Sequence, residues 1–106
     1  MAQFDVHRNP GRHADTIPYV VDVQSAQFDD YRRRVVVPLV RAGNLGSTPF
    51  PAFNPSFRIR GVKVILHPLE MVSVPVEQLG PPVGSLVDDG QAIISALDEL
   101  FSRAWQ

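Results

Sequence analysis

Residues 33–40 of the chain read RRVVVPLV, with three consecutive valines between an arginine cluster and a proline. A run of β-branched residues that is apolar at successive positions is typical of a strand covered on both faces. Proline donates no backbone hydrogen bond, so Pro38 indicates a bulge or an edge at which the strand ladder ends. The rest of the fold is therefore expected to form around a strand over residues 33–40.

Most of the chain before residue 80 has the same character. Its alternating and β-branched segments predict strands over residues 3–7, 17–24 and 71–79, and a hairpin over residues 57–66. The Gly61-Val62 pair fits a type II′ turn in that hairpin. Residues 42–55 are rich in glycine and proline but also contain aromatic residues such as Phe50, which indicates an ordered loop.

One amphipathic helix is predicted at the C-terminal end. Apolar residues recur there at spacings of three and four, namely Leu86, Val87, Ile93, Ile94, Leu97, Leu100, Phe101, Ala104 and Trp105. Ser85 or Asp88 is expected to cap the helix, and Gly90 to weaken it by about 1 kcal/mol relative to alanine. These elements predict a mainly β protein with one C-terminal α-helix, in which a small, strongly bent sheet or barrel forms a single domain over residues 1–106.

Composition excludes several classes of protein. The chain has 106 residues, a formal net charge of −1 and no cysteine. The near-balance of charge argues against a general nucleic-acid binder, and the absence of cysteine excludes disulfides, thiolate zinc sites and cysteine nucleophiles. The first residues lack the pattern of a signal peptide, and no apolar run approaches the ~18 residues of a membrane span. A soluble cytoplasmic protein without membrane contact is therefore expected.

The sequence contains no motif for catalysis or for a cofactor. The three histidines, His7, His13 and His67, are scattered and lack the spacing of metal ligands. The chain has neither a Gly-x-x-x-x-Gly-Lys phosphate loop nor a Gly-x-Ser-x-Gly nucleophile elbow. We therefore predict no catalytic residue, no metal and no cofactor.

The densest group of charges is the cluster Arg32, Arg33 and Arg34. Adjacent arginines can anchor an acidic partner or a phosphate group. They can equally form a solvated strand edge that discourages aggregation, with Asp29 and Asp30 just upstream to pair with them. The sequence leaves both interpretations open.

Trp105, the single tryptophan, is the penultimate residue of the sequence. Chain ends usually fray, so a large aromatic side chain there needs a place to pack. It can be buried on the chain's own sheet, paired with another chain or exposed to a partner, and tryptophan is a favoured anchor of interfaces.

Five segments, taken in order, resemble the CcdB toxin family from end to end of the chain. They are residues 3–6 (QFDV), 21–25 (VDVQS), 33–39 (RRVVVPL) and 71–76 (MVSVPV), and a terminal helix containing Ile93, Ala96, Leu97 and Phe101. The resemblance implies an SH3-like barrel with a small additional sheet, as in CcdB- and MazF-like folds, and a long C-terminal helix. It also implies a homodimer that acts by binding and performs no enzymatic chemistry.

The function that the resemblance implies is that of a bacterial toxin from a toxin–antitoxin pair, of the kind associated with plasmid maintenance. Such toxins bind the A subunit of DNA gyrase, a topoisomerase, and trap its covalent complex with cleaved DNA. A CcdA-like antitoxin with a disordered C-terminal half releases the toxin from gyrase, and the two together bind operator DNA and repress transcription. Arg32, Arg33 and Arg34 are expected to bind the acidic tail of the antitoxin in a salt-sensitive manner.

The C-terminal tail departs from the family pattern, which has Trp-Gly-Ile directly after the helix phenylalanine. Here Phe101 is followed by SRA and then by WQ. Three helical residues rotate by about 300° and rise by about 4.5 Å, so Trp105 is expected near the family position but not on it. The expected target-binding segment is Phe101, Ser102, Arg103, Ala104, Trp105 and Gln106. Near the twofold axis of the homodimer we expect Leu97, Phe101 and Trp105.

Two alternatives to gyrase poisoning stay open. The MazF and Kid endoribonucleases are related in fold, and RNA cleavage would need a base, an acid and a cation in one groove. Arg12, His13, Asp15 and Arg60 could supply those groups only if the fold happened to bring them together. The other alternative is a CcdB-like protein that binds its antitoxin but no longer poisons gyrase, as the altered tail suggests.

Overall fold

A computed structural model describes residues 2–43 and 50–101 of the chain. The strands in that part of the chain are β1 (Asp5–Arg8), β2 (Tyr19–Asp22), β3 (Arg33–Arg41), β4 (Ser56–Ile59), β5 (Val62–Leu66), β6 (Val72–Pro75) and β7 (Gly84–Ser85). A single α-helix, α1 (Gly90–Leu100), follows them. The expected fold class, mainly β with one C-terminal helix, is confirmed.

The strands form one antiparallel sheet that bends into a nearly closed SH3-like barrel. Its order is β4-β5-β3-β2-β1-β7, and β6 lies off this path, where it pairs with the first half of β3. Beside β7, Val83 donates its N–H to the Val6 carbonyl (2.7 Å) and Leu86 donates to the Phe4 carbonyl (2.8 Å). Arg60 Nε, in the turn after β4, donates to the Val83 carbonyl (3.2 Å), so the two ends of the strand order approach each other.

Pro38 lies at a break in the sheet, as its sequence context predicts. One edge of β3 pairs with β6 over its first residues and with β5 over its last. The Pro38 carbonyl faces that edge, where it accepts from the His67 N–H (3.1 Å). The N–H group that proline lacks would point to the same edge, between the two ladders. Its absence therefore costs the sheet little hydrogen bonding.

The main core lies inside the barrel, where alternate residues of the central strands meet the helix. Its fully buried members are Val6, Val21, Val37, Leu39, Val64, Leu66, Ile93 and Ala96. The period-two pattern of the strands and the three-to-four spacing of the helix bring these side chains to one face of each element. Burial of this face therefore fixes the helix on the barrel.

A second, smaller core covers the opposite face of the sheet. Val20, Val36 and Leu79 are buried there, and Val74 packs against them. His7 is fully buried as well, and its Nδ1 lies 2.8 Å from the Gly80 carbonyl. Because a carbonyl can only accept, Nδ1 carries the proton. The segment after β6 thus covers strand residues that alternate away from the main core.

The turn of the β4–β5 hairpin differs from the expected one. Ile59 pairs with Val62, so the two loop residues are Arg60 and Gly61, with φ values of 51° and 82°. Two successive positive φ values are typical of a type I′ turn, whereas the expected Gly61-Val62 type II′ turn is wrong by one residue. The pairing of β4 with β5 sets the register, and glycine then occupies the second turn position.

The helix begins later than its apolar pattern indicates. A 3-10 turn over Val87–Asp89 precedes it, and Ser85 Oγ accepts from the Val87 N–H (3.2 Å) in that turn. The α-helix starts at Gly90, which is buried. A Cβ atom at Gly90 would lie 2.7 Å from Cε2 of Phe4, so the glycine permits close contact with the aromatic ring. Gly90 is therefore a packing requirement, and weakening of the helix is not its main effect.

Replacing Gly90 with alanine is expected to lower the free energy of unfolding by about 1–3 kcal/mol, because the Phe4 ring must move within a packed core. Helix propensity alone predicts the opposite sign, a gain of about 1 kcal/mol. Urea denaturation measures the change. Gly80→Ala is the matched control, since a Cβ there meets nothing within 4 Å. A Gly90→Ala protein as stable as the original chain would contradict the packing role.

Candidate binding surfaces

The end of α1 presents an exposed aromatic side chain. Phe101 is the residue that ends the helix; its N–H reaches the carbonyls of Leu97 (3.3 Å) and Asp98 (3.2 Å), and its side chain is 70% exposed. Leu97 is half-buried against the main core. The structure thus places one predicted interface residue on the surface and the other partly against the chain's own core. Predicted site residues Ser102, Arg103, Ala104, Trp105 and Gln106 lie outside the described residues.

An apolar groove lies beside the helix end, and sequence reasoning did not predict it. Its volume is about 730 Å³, and its apolar lining includes Phe50, Phe53, Leu69 and Leu100. Phe50 and Leu69 are each 67% exposed. The aromatic residues of the loop that precedes β4 were a partial signal of this groove. Together with Phe101, these side chains make the helix end an apolar part of the surface.

The arginine cluster does not form one surface. Arg34 is 1% exposed; its Nε donates to Asp22 Oδ2 (2.8 Å) and its Nη1 to Asp29 Oδ1 (2.7 Å). Burial by itself lowers the pKa of the Arg34 guanidinium, but hydrogen bonds to Asp22 and Asp29 and their charges outweigh burial, so the pKa is raised above its ordinary value. Arg34 is therefore a charged structural residue, and as placed it is not accessible to an acidic tail.

Arg33 and Arg32 lie on the surface. Arg33 donates through Nε to Ser73 Oγ (2.8 Å) and through Nη2 to the Ser73 carbonyl (2.7 Å). Arg32 is exposed and makes no ion pair within the part of the chain that the structure describes. Alternation along β3 separates Arg33 from the buried Arg34. Two of the three arginines thus stay available to an anionic partner.

Beside these two arginines lies a second groove, which we call the aromatic–arginine groove. Its volume is about 640 Å³, and its lining residues are Gln24, Phe28, Tyr31, Arg32, Arg33, Val35 and Ser73. Phe28 and Tyr31 meet edge to face, with ring centroids 5.7 Å apart and an interplanar angle of 81°. Sequence reasoning missed both rings, although aromatic residues among charges in the non-periodic stretch between β2 and β3 were a visible signal.

The groups considered for RNA cleavage are not joined by hydrogen bonds in the described part of the chain. Arg12, His13 and Asp15 are exposed in the β1–β2 connection, whereas the Arg60 guanidinium binds the Val83 carbonyl. None of these four side chains hydrogen-bonds to another among residues 2–43 and 50–101. In the same ranges, no group of three or more His, Asp or Glu side chains could hold a metal ion.

Among residues 2–43 and 50–101, no helix has the length and the apolar character that a membrane span requires.

The barrel and the terminal helix with its exposed aromatic end define an SH3-like barrel protein with surfaces suited to binding. Residues 3–102 match the family described as CcdB protein. The chain therefore belongs to the CcdB family, whose members are toxins of toxin–antitoxin modules and in general target gyrase without acting as enzymes. No curated protein sequence matches the chain.

Proposed function

We propose that this protein is the toxin of a toxin–antitoxin module, that it binds the A subunit of DNA gyrase as a homodimer, and that it traps the complex of gyrase with cleaved DNA. The family match over residues 3–102 carries this proposal. A CcdA-like antitoxin neutralises the toxin, and only the toxin–antitoxin complex binds operator DNA. We further propose that the protein acts in the cytoplasm and that residues 1–106 function as one domain.

The helix end supports a mechanism based on binding. Phe101 is a large aromatic side chain exposed at the end of a helix that the main core fixes on the barrel. Exposed aromatic residues of this kind are favoured anchors in interfaces. In a homodimer with a twofold axis, two helix ends can form one composite surface for a symmetric target. Leu97, Phe101 and Trp105 are the residues that we propose near this axis.

Phe101→Ala is expected to weaken the interaction with gyrase about tenfold or more. Trp105→Ala is expected to reduce the favourable free energy of binding to gyrase by roughly 2 kcal/mol or more. Loss of an aromatic anchor removes apolar contact area that only the complex buries. The measurement is the toxin concentration that halves supercoiling by purified gyrase. The Phe101→Ala chain should still fold, because the side chain is exposed in the single chain.

Val87→Ala is the control, since Val87 is 60% exposed and lies in the 3-10 turn before α1, outside the groove beside the helix end. We expect the concentration of this variant that halves supercoiling to equal that of the unaltered protein. If Phe101→Ala and Trp105→Ala both inhibit gyrase as strongly as the control variant, the helix end is not the target-binding surface. If the unaltered protein neither inhibits gyrase nor slows bacterial growth, gyrase poisoning itself is wrong for this chain.

A second candidate function is antitoxin binding without gyrase poisoning. The family match ends at Ser102, and the chain lacks the Trp-Gly-Ile sequence after Phe101. Expression with and without the antitoxin gene separates the two candidates. Growth inhibition that the antitoxin relieves supports the toxin. Tight antitoxin binding with normal growth and normal supercoiling supports the second candidate.

A further inference from the structure

The aromatic–arginine groove combines two cationic side chains with an exposed aromatic surface. Phe28 is 45% exposed and Tyr31 is 63% exposed, so the ring pair leaves substantial apolar area in contact with water. Val35 lies half-buried beside them. A groove of about 640 Å³ with such a lining can accept one large apolar side chain and the backbone around it.

The lining of the groove carries a positive charge. Among the residues that the structure describes, Arg32 and Arg33 are the charged residues that line it. Hydrogen bonds to Ser73 hold the Arg33 guanidinium in a fixed orientation, and no acceptor within residues 2–43 and 50–101 engages its remaining N–H groups. The nearby Asp29 carboxylate is already bound to Arg34. A preoriented guanidinium is well suited to a carboxylate, because less side-chain entropy is lost when the ion pair forms.

We propose that the aromatic–arginine groove binds an extended acidic peptide, with one large apolar side chain packed on Phe28 and Tyr31 and flanking carboxylates paired with Arg32 and Arg33. The proposal rests on the proposed function, in which the acidic tail of the antitoxin is the peptide of this chemistry. It replaces the three-arginine anchor by two arginines and two rings, because Arg34 is buried.

Charge complementarity favours an acidic peptide over the other possible occupants. A second copy of the chain related by a twofold axis through the groove would place the same two arginines against each other. Nucleic acid is disfavoured because the chain has a formal net charge of −1 and the groove offers only two cations. An acidic peptide neutralises both arginines and covers the rings.

The test uses a synthetic, fluorophore-labelled peptide of Glu and Asp residues with one central Trp, and the full-length protein. Fluorescence anisotropy should show saturable binding. We expect Phe28→Ala and the double variant with Arg32→Gln and Arg33→Gln each to weaken the affinity about tenfold. Binding should also weaken when salt rises from about 0.05 M to about 0.5 M, since the charged pairs are exposed.

Matched controls separate the groove from general charge and general apolarity. Arg58→Gln removes an exposed arginine of β4, and Phe50→Ala removes an exposed ring outside the groove. Neither change should alter the affinity. A peptide in which Gln and Asn replace Glu and Asp, and one in which Ala replaces Trp, should bind at least about tenfold more weakly than the parent peptide. Circular dichroism confirms that each variant remains folded.

Three outcomes would overturn the proposal. The acidic peptide binds no more tightly than its neutral counterpart, or the groove variants bind it as the controls do. Alternatively, the groove variants change only the dimerisation of the chain or only gyrase inhibition, which assigns the groove to a second copy or to the target. Peptide binding requires no toxicity, so failure of gyrase poisoning and failure of this site are separate results.

Discussion

Replacing Arg34 with leucine is expected to lower the free energy of unfolding by about 3–5 kcal/mol. The substitution leaves the fully buried Asp22 carboxylate without its cationic partner. Only the Gln24 N–H, which donates to Asp22 Oδ1 at 2.9 Å, would continue to stabilise that charge among the described residues. Urea denaturation at a fixed protein concentration measures the change, because the stability of a homodimer, which we propose for this chain, depends on protein concentration.

Two further variants make the Arg34 experiment specific. Arg32→Leu changes an exposed neighbour of the same type and should alter stability by no more than about 0.5 kcal/mol. The double variant Asp22→Leu with Arg34→Leu removes both buried charges and should recover most of the loss. A double variant that loses the sum of the two single effects would show that the ion pair is not the reason for the destabilisation.

Ile93→Ala is expected to lower the free energy of unfolding by about 2–5 kcal/mol, the range for truncating a fully buried aliphatic side chain. Ile93 is fully buried, and it lies where α1 packs against the inside of the barrel. Because this contact holds the helix in place, the variant should also inhibit gyrase more weakly than its stability alone predicts. Denaturation and the supercoiling assay together test this.

The adjacent Ile94 offers a matched control. Its side chain is chemically identical but only half-buried, so Ile94→Ala should cost less than Ile93→Ala by at least about 1 kcal/mol. Equal losses for the two variants would mean that the helix does not pack on the barrel through the face containing Ile93. The comparison also controls for helix propensity, since both changes replace isoleucine with alanine in the same helix.

The sequence was sufficient for the main elements because their patterns are strong. The valine run predicted residues 33–40 as a strand, and β3 spans Arg33–Arg41. The apolar stripe predicted the terminal helix, although its start was placed too early. The apolar pattern begins at Leu86 and Val87, but residues Val87–Asp89 form a 3-10 turn, and periodicity alone does not distinguish such a turn from the helix that follows.

Residues that act through tertiary contacts were harder to predict. Arg34 reads as the last member of an exposed cluster, yet β2 and β3 bring it to Asp22 on a covered face. The available signal was a single aspartate inside the apolar run of β2 and a single arginine that begins the apolar run of β3. Gly90 gave no such signal, because its role depends on Phe4, which is distant in sequence.

The candidate site was predicted in part. Exposure of Phe101, Arg32 and Arg33 agrees with the surface that the sequence indicated for partners. The roles of these residues, and those of the tail beyond Phe101, stay predictions for the experiments above. The contribution of Phe28 and Tyr31 could not be derived from periodicity, since the two rings meet only through a connection that has no repeating pattern.

The hydrogen bonds from Val83 and Leu86 to the first strand region have a consequence during protein synthesis. Phe4 and Val6 are synthesised long before Val83 and Leu86, the donors that complete their side of the barrel. Ile93, which fills the interior, is made later still. A nascent polypeptide of this sequence therefore cannot close its barrel until Val83 and Leu86 have been synthesised, and its folding is dominated by contacts between distant parts of the chain.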